Sequence, residues 1–139
     1  MTAKEFLEYE LTQSGKQIEA CLNGLGEDGF DSKCAPIAMT PREILEHLAE
    51  AYQAFIAASK GEEHQWGSFQ VEDKSTSNLK QVFADTRSQA VAAALSNEGD
   101  KTAKAAYDYI IAHDNYHVAQ LVLTRLQLEP DWDSYAIYA

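Results

Sequence analysis

Two of the four histidines in this sequence, His113 and His117, stand four residues apart within the run from Tyr107 to Leu121. A four-residue step is about one helical turn, so on a helix both imidazoles project from one face, one above the other. Two imidazoles stacked in this way can bind a single metal ion. A third, His47, lies between Ile44 and Ala51 on the apolar side of another helical stretch. Neutral imidazole is a good ligand for zinc, nickel or iron(II), and metal sites in bundles are built from side chains on facing helices. Three protein ligands leave positions open for water or substrate, the pattern of a catalytic site rather than a closed structural one. The competing reading is three core-edge histidines, each satisfied by a backbone carbonyl or by Tyr109, Tyr116 or Glu50. A lone histidine favours that reading. An i, i+4 pair on an apolar helix, joined by a third imidazole on a second helix, makes the metal reading its equal.

Other chemistry finds less support. His113-Asp114-Asn115-Tyr116-His117 resembles the zinc-protease pattern H-E-x-x-H, but its acid is shorter and no strand-rich half accompanies it. No Glu lies three residues before a histidine, as a ferritin-like di-iron site requires. Cys21 has no basic neighbour in sequence, Cys34 has only Lys33, and no serine sits in a G-x-S-x-G turn. Glu43, Glu46, Glu50, Asp114 and Gln120 are candidates to orient the imidazoles; ordinary solvated helix surface is the alternative for most of them. His64 lies in a polar connection, where a surface histidine outweighs a fourth ligand or a mobile acid/base. Trp66 beside it reads as a lid anchor or core cover.

The elements that must position these residues are helical. The first runs from about Thr2 to Asn23, with an apolar stripe of Leu7, Leu11, Ser14, Ile18, Cys21, Leu22 and Leu25 that Gly15 weakens modestly. A connection from Glu27 to Met39 is long enough to run the length of a helix, which allows helices one and two to be parallel neighbours. Thr40-Pro41-Arg42-Glu43 is a capping box with proline at the first helical position. It opens a second helix whose inward side carries Ile44, Leu45, Leu48, Ala51, Tyr52, Phe55 and Ala58, and Gly61 ends it. A second long connection reaches Lys74. The third helix runs from about Ser77 to Leu95, with Ser75 or Ser77 as cap. Asn97-Glu98-Gly99-Asp100 breaks the chain, with Asp100 as cap of a fourth helix from about Lys101 to Gln127. Glu129-Pro130 stops that helix, and an aromatic tail follows with Trp132, Tyr135 and Tyr138. No alternating strand pattern appears. The expected fold is all-α, a four-helix bundle with long inter-helix connections, in one domain spanning residues 1–139.

A net charge of −11 with eleven scattered basic residues disfavours nucleic-acid partners. No run of eighteen apolar residues is present, and the first ten residues lack the basic-then-apolar pattern of a signal peptide, so a cytoplasmic location with reduced cysteines is expected and no membrane partner.

Thr40-Pro41-Arg42-Glu43-Ile44-Leu45-Glu46-His47-Leu48-Ala49-Glu50-Ala51 and His113-Asp114-Asn115-Tyr116-His117-Val118-Ala119-Gln120, closed by Pro130-Asp131-Trp132-Asp133-Ser134-Tyr135, resemble the DinB-like family of bacterial metal-binding four-helix bundles. The separate motifs are short; their order and separation across nearly the whole chain make the match specific. The resemblance implies that His47, His113 and His117 ligate one divalent ion, nickel or zinc, with water completing the shell. It also implies a homodimer, and links to thiol-dependent transferases and isomerases. One expectation is therefore an enzyme that activates a low-molecular-weight thiol at the ion and transfers it to an electrophilic small molecule. The other is a non-catalytic metal-binding or stress-related dimeric bundle. One departure is Ala119, where the family commonly has Gly, which matters only if helices pack closely there.

Overall fold

The computed structural model of the chain describes residues 1–97 and 99–139. All regular structure among the described residues is helical: α1 (Ala3–Leu22), α2 (Pro41–Ser59), α3 (Thr76–Ser96), α4 (Asp100–Ala106) and α5 (Ala112–Leu128), with 3-10 turns at Glu27–Asp31 and Ser134–Tyr138. A π-turn, Tyr107–Ile111, joins α4 to α5, and the backbone at both its ends keeps right-handed helical angles. The three segments form one continuous rod, the expected fourth helix, extending to Leu128.

The starts of the helices are local chemistry. Thr2 caps α1 in a full capping box: its hydroxyl accepts from the Glu5 N–H at 3.2 Å, and the Glu5 carboxylate accepts from the Thr2 N–H at 2.6 Å. At α2 only half of the expected box forms. The Thr40 hydroxyl accepts from the Glu43 N–H at 3.1 Å, Pro41 fills the first turn, and the exposed Glu43 side chain makes no return bond. Removing that cap in Thr40→Ala is expected to lower stability by about 1 kcal/mol, read as a reduced urea midpoint at unchanged m-value. Ser75, not Ser77, caps α3. Asp100 does not cap the last rod: Gly99 holds that position at φ +148°, without a side-chain bond, and Asp100 is the first helical residue. The expected break there includes Glu98, which lies outside the described residues.

Contacts between helices fix their directions. Ser14 meets Asp114 and Cys21 meets Val118 and Arg125, so α1 and α5 run parallel. Arg42 meets Thr76 and Tyr52 meets Phe83, so α2 and α3 run parallel. His47 meets His117 and Phe55 meets Tyr109, so α2 and α5 run antiparallel. The topology is up-down-down-up. The length of the first connection permits parallel neighbours, but helices one and two are antiparallel; the long crossover that joins a parallel pair is the second one, between α2 and α3.

The α2 surface ties that crossover down. Glu46 accepts from Lys74 Nζ, Glu50 accepts from the Gly67 N–H at 2.6 Å, and Arg42 donates to the Lys74 carbonyl at 2.7 Å and to Asp31 at 2.9 Å. The interior is filled by Leu11, Ile18, Ile44, Leu48, Tyr52, Phe55, Leu79, Ile110 and Ile111, all with almost no exposure. Ala58, expected to face inward, is exposed. The π-turn, which buries Ile110 and Ile111, holds an extra residue that turns the helix beyond it by about 100°. That rotation accompanies the inward facing of Asp114, His117, Val118 and Leu121. The aromatic tail packs on the bundle: Ser134–Tyr138 lies against α1, and the Arg125 guanidinium sits 4.6 Å over the Trp132 ring.

Candidate metal centre

The three histidines expected to form a site come together. His113 Nε2 lies 2.9 Å from His47 Nε2 and 3.1 Å from His117 Nε2. The candidate ligand atoms all fall within 4.8 Å of one another. His47 comes from α2; His113 and His117 come from α5, one turn apart just after the π-turn. His117 is buried, at 2 % exposure, while His47 and His113 are half-buried, so the cluster is closed below and reachable from solvent above.

Hydrogen bonding sets which nitrogen faces inward. Gln120 Oε1 accepts from His117 Nδ1–H at 2.7 Å, so Nδ1 carries the proton and Nε2 presents a lone pair to the cluster. At His113 the Tyr109 backbone also bonds the ring. The His117 lone pair thus faces His113 Nε2 at 3.1 Å, the disposition of two ligands on one ion. Separations of 2.9 and 3.1 Å suit adjacent ligands on one ion at roughly 2.0–2.1 Å per bond. The wider remaining edge, no more than 4.8 Å, is the one that must shorten. The donor set therefore fits a borderline divalent ion held by three neutral imidazoles.

Electrostatics keep these imidazoles neutral. Burial pushes His117 down to about 4, reinforced by His113 and His47 and opposed by the bond to Gln120. Burial also lowers His113, with His47 adding to it and the Asp114 carboxylate opposing. Burial lowers His47, partly offset by the Glu50 charge. A histidine with a depressed value in the fold binds fewer protons there than in the unfolded chain, so stability rises with pH across the gap. Metal-free protein is expected to hold this stability above the unfolded value of about 6.5 and to lose it as pH falls toward 4. Thermal melting in chelator across that range checks this; a midpoint that stays flat from pH 7 to 4 contradicts it.

Of the five candidate orienting residues, Gln120 alone bonds a cluster imidazole through its side chain among the described residues. Glu46 and Glu50 are engaged with the crossover, and Glu43 is exposed. Asp114 is fully buried but turns away from the imidazoles: it accepts from Tyr52 Oη at 2.5 Å, from Ser14 Oγ at 2.7 Å and from Arg87 at 2.8 Å. Sequence reasoning placed Tyr52 and Ser14 in the core as packing residues and overlooked Arg87. A signal existed in Gly15, whose absent side chain makes room for that guanidinium: a Cβ there would lie 2.7 Å from Arg87 Cζ.

His64 stays outside the cluster, bonded at 2.9 Å to Glu50 Oε1. Trp66 stacks edge-on against His64 and is 56 % exposed, so it covers no core. Burial pushes the Cys21 thiol up to about 12, which leaves it inert as a nucleophile at neutral pH. Ala119 is exposed, so no close packing depends on it within one chain. No helix among the described residues is long and apolar enough to cross a membrane.

A sequence model of the DinB family matches residues 1–108. The matched segment contains His47 and ends inside the π-turn; His113 and His117 lie beyond it. No curated protein and no solved structure matches the chain.

Proposed function

The chain belongs to the DinB family, and from that premise we propose a divalent-metal-dependent enzyme in which His47, His113 and His117 hold one nickel or zinc ion. Its reaction is transfer of a low-molecular-weight thiol to an electrophilic small molecule. The observation that carries the reading is the meeting of three inward imidazole nitrogens from two helices, on a site open on one side. When bound, a divalent ion supplies Lewis acidity and favours the thiolate of a thiol beside it.

The chain's own part is binding and orientation. Gln120 holds His117 in the tautomer that ligates. His47 and His113, half-buried, border the approach from solvent, and the buried His117 forms the floor. A free thiol substrate and two unpaired cysteines suit a reducing compartment, the cytoplasm.

A homodimer belongs to the same proposal. Tyr116 and Leu123 on α5 and Tyr138 in the tail are all more than half exposed. Leu123 and Tyr138 border a groove of about 580 Å³ with Val118, Ala119, Val122 and Ile137. That apolar face suits a second copy. It also favours the alternative reading, a non-catalytic metal-binding or stress-related dimer. Turnover decides between the two. Metal-loaded protein is assayed against electrophiles such as an aryl halide, with glutathione, bacillithiol and mycothiol in turn. Thiol-dependent product that disappears with chelator supports the enzyme. An ion bound without turnover of any pair favours the binding protein.

A further inference from the structure

Side chains from three helices meet at a single buried carboxylate on a fourth. Ser14 comes from α1, Tyr52 from α2, Arg87 from α3 and Asp114 from α5. Tyr52 Oη donates to Asp114 Oδ1, and Ser14 Oγ and Arg87 donate to Asp114 Oδ2. The same Arg87 nitrogen also donates to the Leu11 carbonyl at 2.7 Å and approaches Ser14 Oγ at 2.9 Å, and the guanidinium lies 5.7 Å from the Tyr52 ring. Arg87 Nε is buried without a partner among the described residues. A group left unsatisfied inside a bundle is costly, and a plain apolar contact between α1 and α3 would avoid it. The chain instead keeps the charge and spares Gly15 a side chain to admit it.

Placement gives the reason. Asp114 directly follows His113 and precedes His117 by three residues, and Tyr52 lies on the helix that carries His47. The Tyr52–Asp114 bond therefore joins the two ligand-bearing helices beside the histidine cluster. Apolar side chains tolerate sliding and rotation of one helix on another; three directional donors on one carboxylate do not. We propose that Ser14, Tyr52, Arg87 and Asp114 form a brace that fixes the rotation and height of α5 against α2, making them positioning residues for the three imidazoles. Its bearing on metal affinity rests on reading the cluster as a metal site; its bearing on where the imidazoles stand does not.

The test uses the whole chain, with two variants that perturb the brace differently. Tyr52→Phe removes one hydroxyl and leaves the ring. Gly15→Ala adds a methyl that meets Arg87, while improving the intrinsic helix propensity of α1. Arg125→Lys is the comparison. Arg125 bonds the Cys21 and Asn23 carbonyls at the far end of α5, so it perturbs the same helix away from the cluster. In metal-free protein, NMR cross-relaxation between the His47 ring and the rings of His113 and His117 reports the cluster directly. Nickel affinity is then measured by chelator competition. The brace predicts that both variants lose the ring contacts and bind nickel about tenfold more weakly or worse, in the range of lost outer-shell support, while Arg125→Lys keeps both. Ring contacts preserved in both variants with unchanged affinity overturn it, as does equal weakening in Arg125→Lys, which marks a general loss of stability. If the unaltered chain binds no nickel but the ring contacts vanish in both variants, the brace stands and the metal reading falls.

Discussion

His117→Ala is expected to abolish stoichiometric metal binding and the rise in melting temperature that accompanies it. His117 is the most buried of the three imidazoles and has its outer nitrogen already held by Gln120, so it enters the site with the least freedom left to lose. Losing an outer-shell partner costs about 10–100-fold in affinity, and losing a ligand exceeds that. Two imidazoles would remain on different helices, with no fourth side chain among the described residues placed to substitute; the remaining histidine, His64, is bonded to Glu50. Elemental analysis after dialysis, with thermal melts before and after loading, checks the result. Retention of one tightly held ion per chain by the variant would remove His117 from the site.

The second large effect concerns stability. Asp114→Ala is expected to cost about 3–5 kcal/mol and to lower the melting midpoint by roughly 10–15 °C in a chain of this size. The carboxylate is fully buried and accepts from three donors, and without it the mostly buried Arg87 charge loses its counter-ion. Removing one partner of a buried pair is far worse than never having the pair. The exposed Lys104–Asp108 pair supplies the contrast: Asp108→Ala should leave the midpoint unchanged within error. A scan of the two variants beside the parent protein decides it. Equal, small shifts in both would contradict the account of Asp114 as an interior keystone.

Much of this molecule is legible in the amino-acid order because its signals are local. Thr40-Pro41 marks the start of α2 by cap chemistry, and the three- and four-residue spacing of Ile44, Leu48, Tyr52 and Phe55 marks its buried side. The His113–His117 step places two nitrogens together by helical geometry alone. What escapes is set by tertiary contact. Nothing in Tyr107–Ile111 announces a π-turn; neither proline nor glycine is there, and Ile110 and Ile111 within it are both buried, as adjacent pairs of α2 are as well. Arg87 sits in a polar stretch of α3 and looks solvated, yet Gly15, 72 positions away in the chain, gives it a seat. Glu50 shares a face with His47 by spacing, but the crossover brings His64 and the Gly67 N–H to it first. Competition between partners distant in sequence decides such cases, and periodicity carries no record of it.

X-ray absorption on protein loaded with one equivalent of nickel or zinc most directly tests the idea that this bundle carries an open three-imidazole centre. The account predicts outer-shell scattering from three imidazole rings, with lighter oxygen scatterers completing the coordination, and loss of one ring's contribution in each of His47→Ala, His113→Ala and His117→Ala. A spectrum fitted by fewer than two rings, or one left unchanged by these substitutions, would place the ion elsewhere and contradict it.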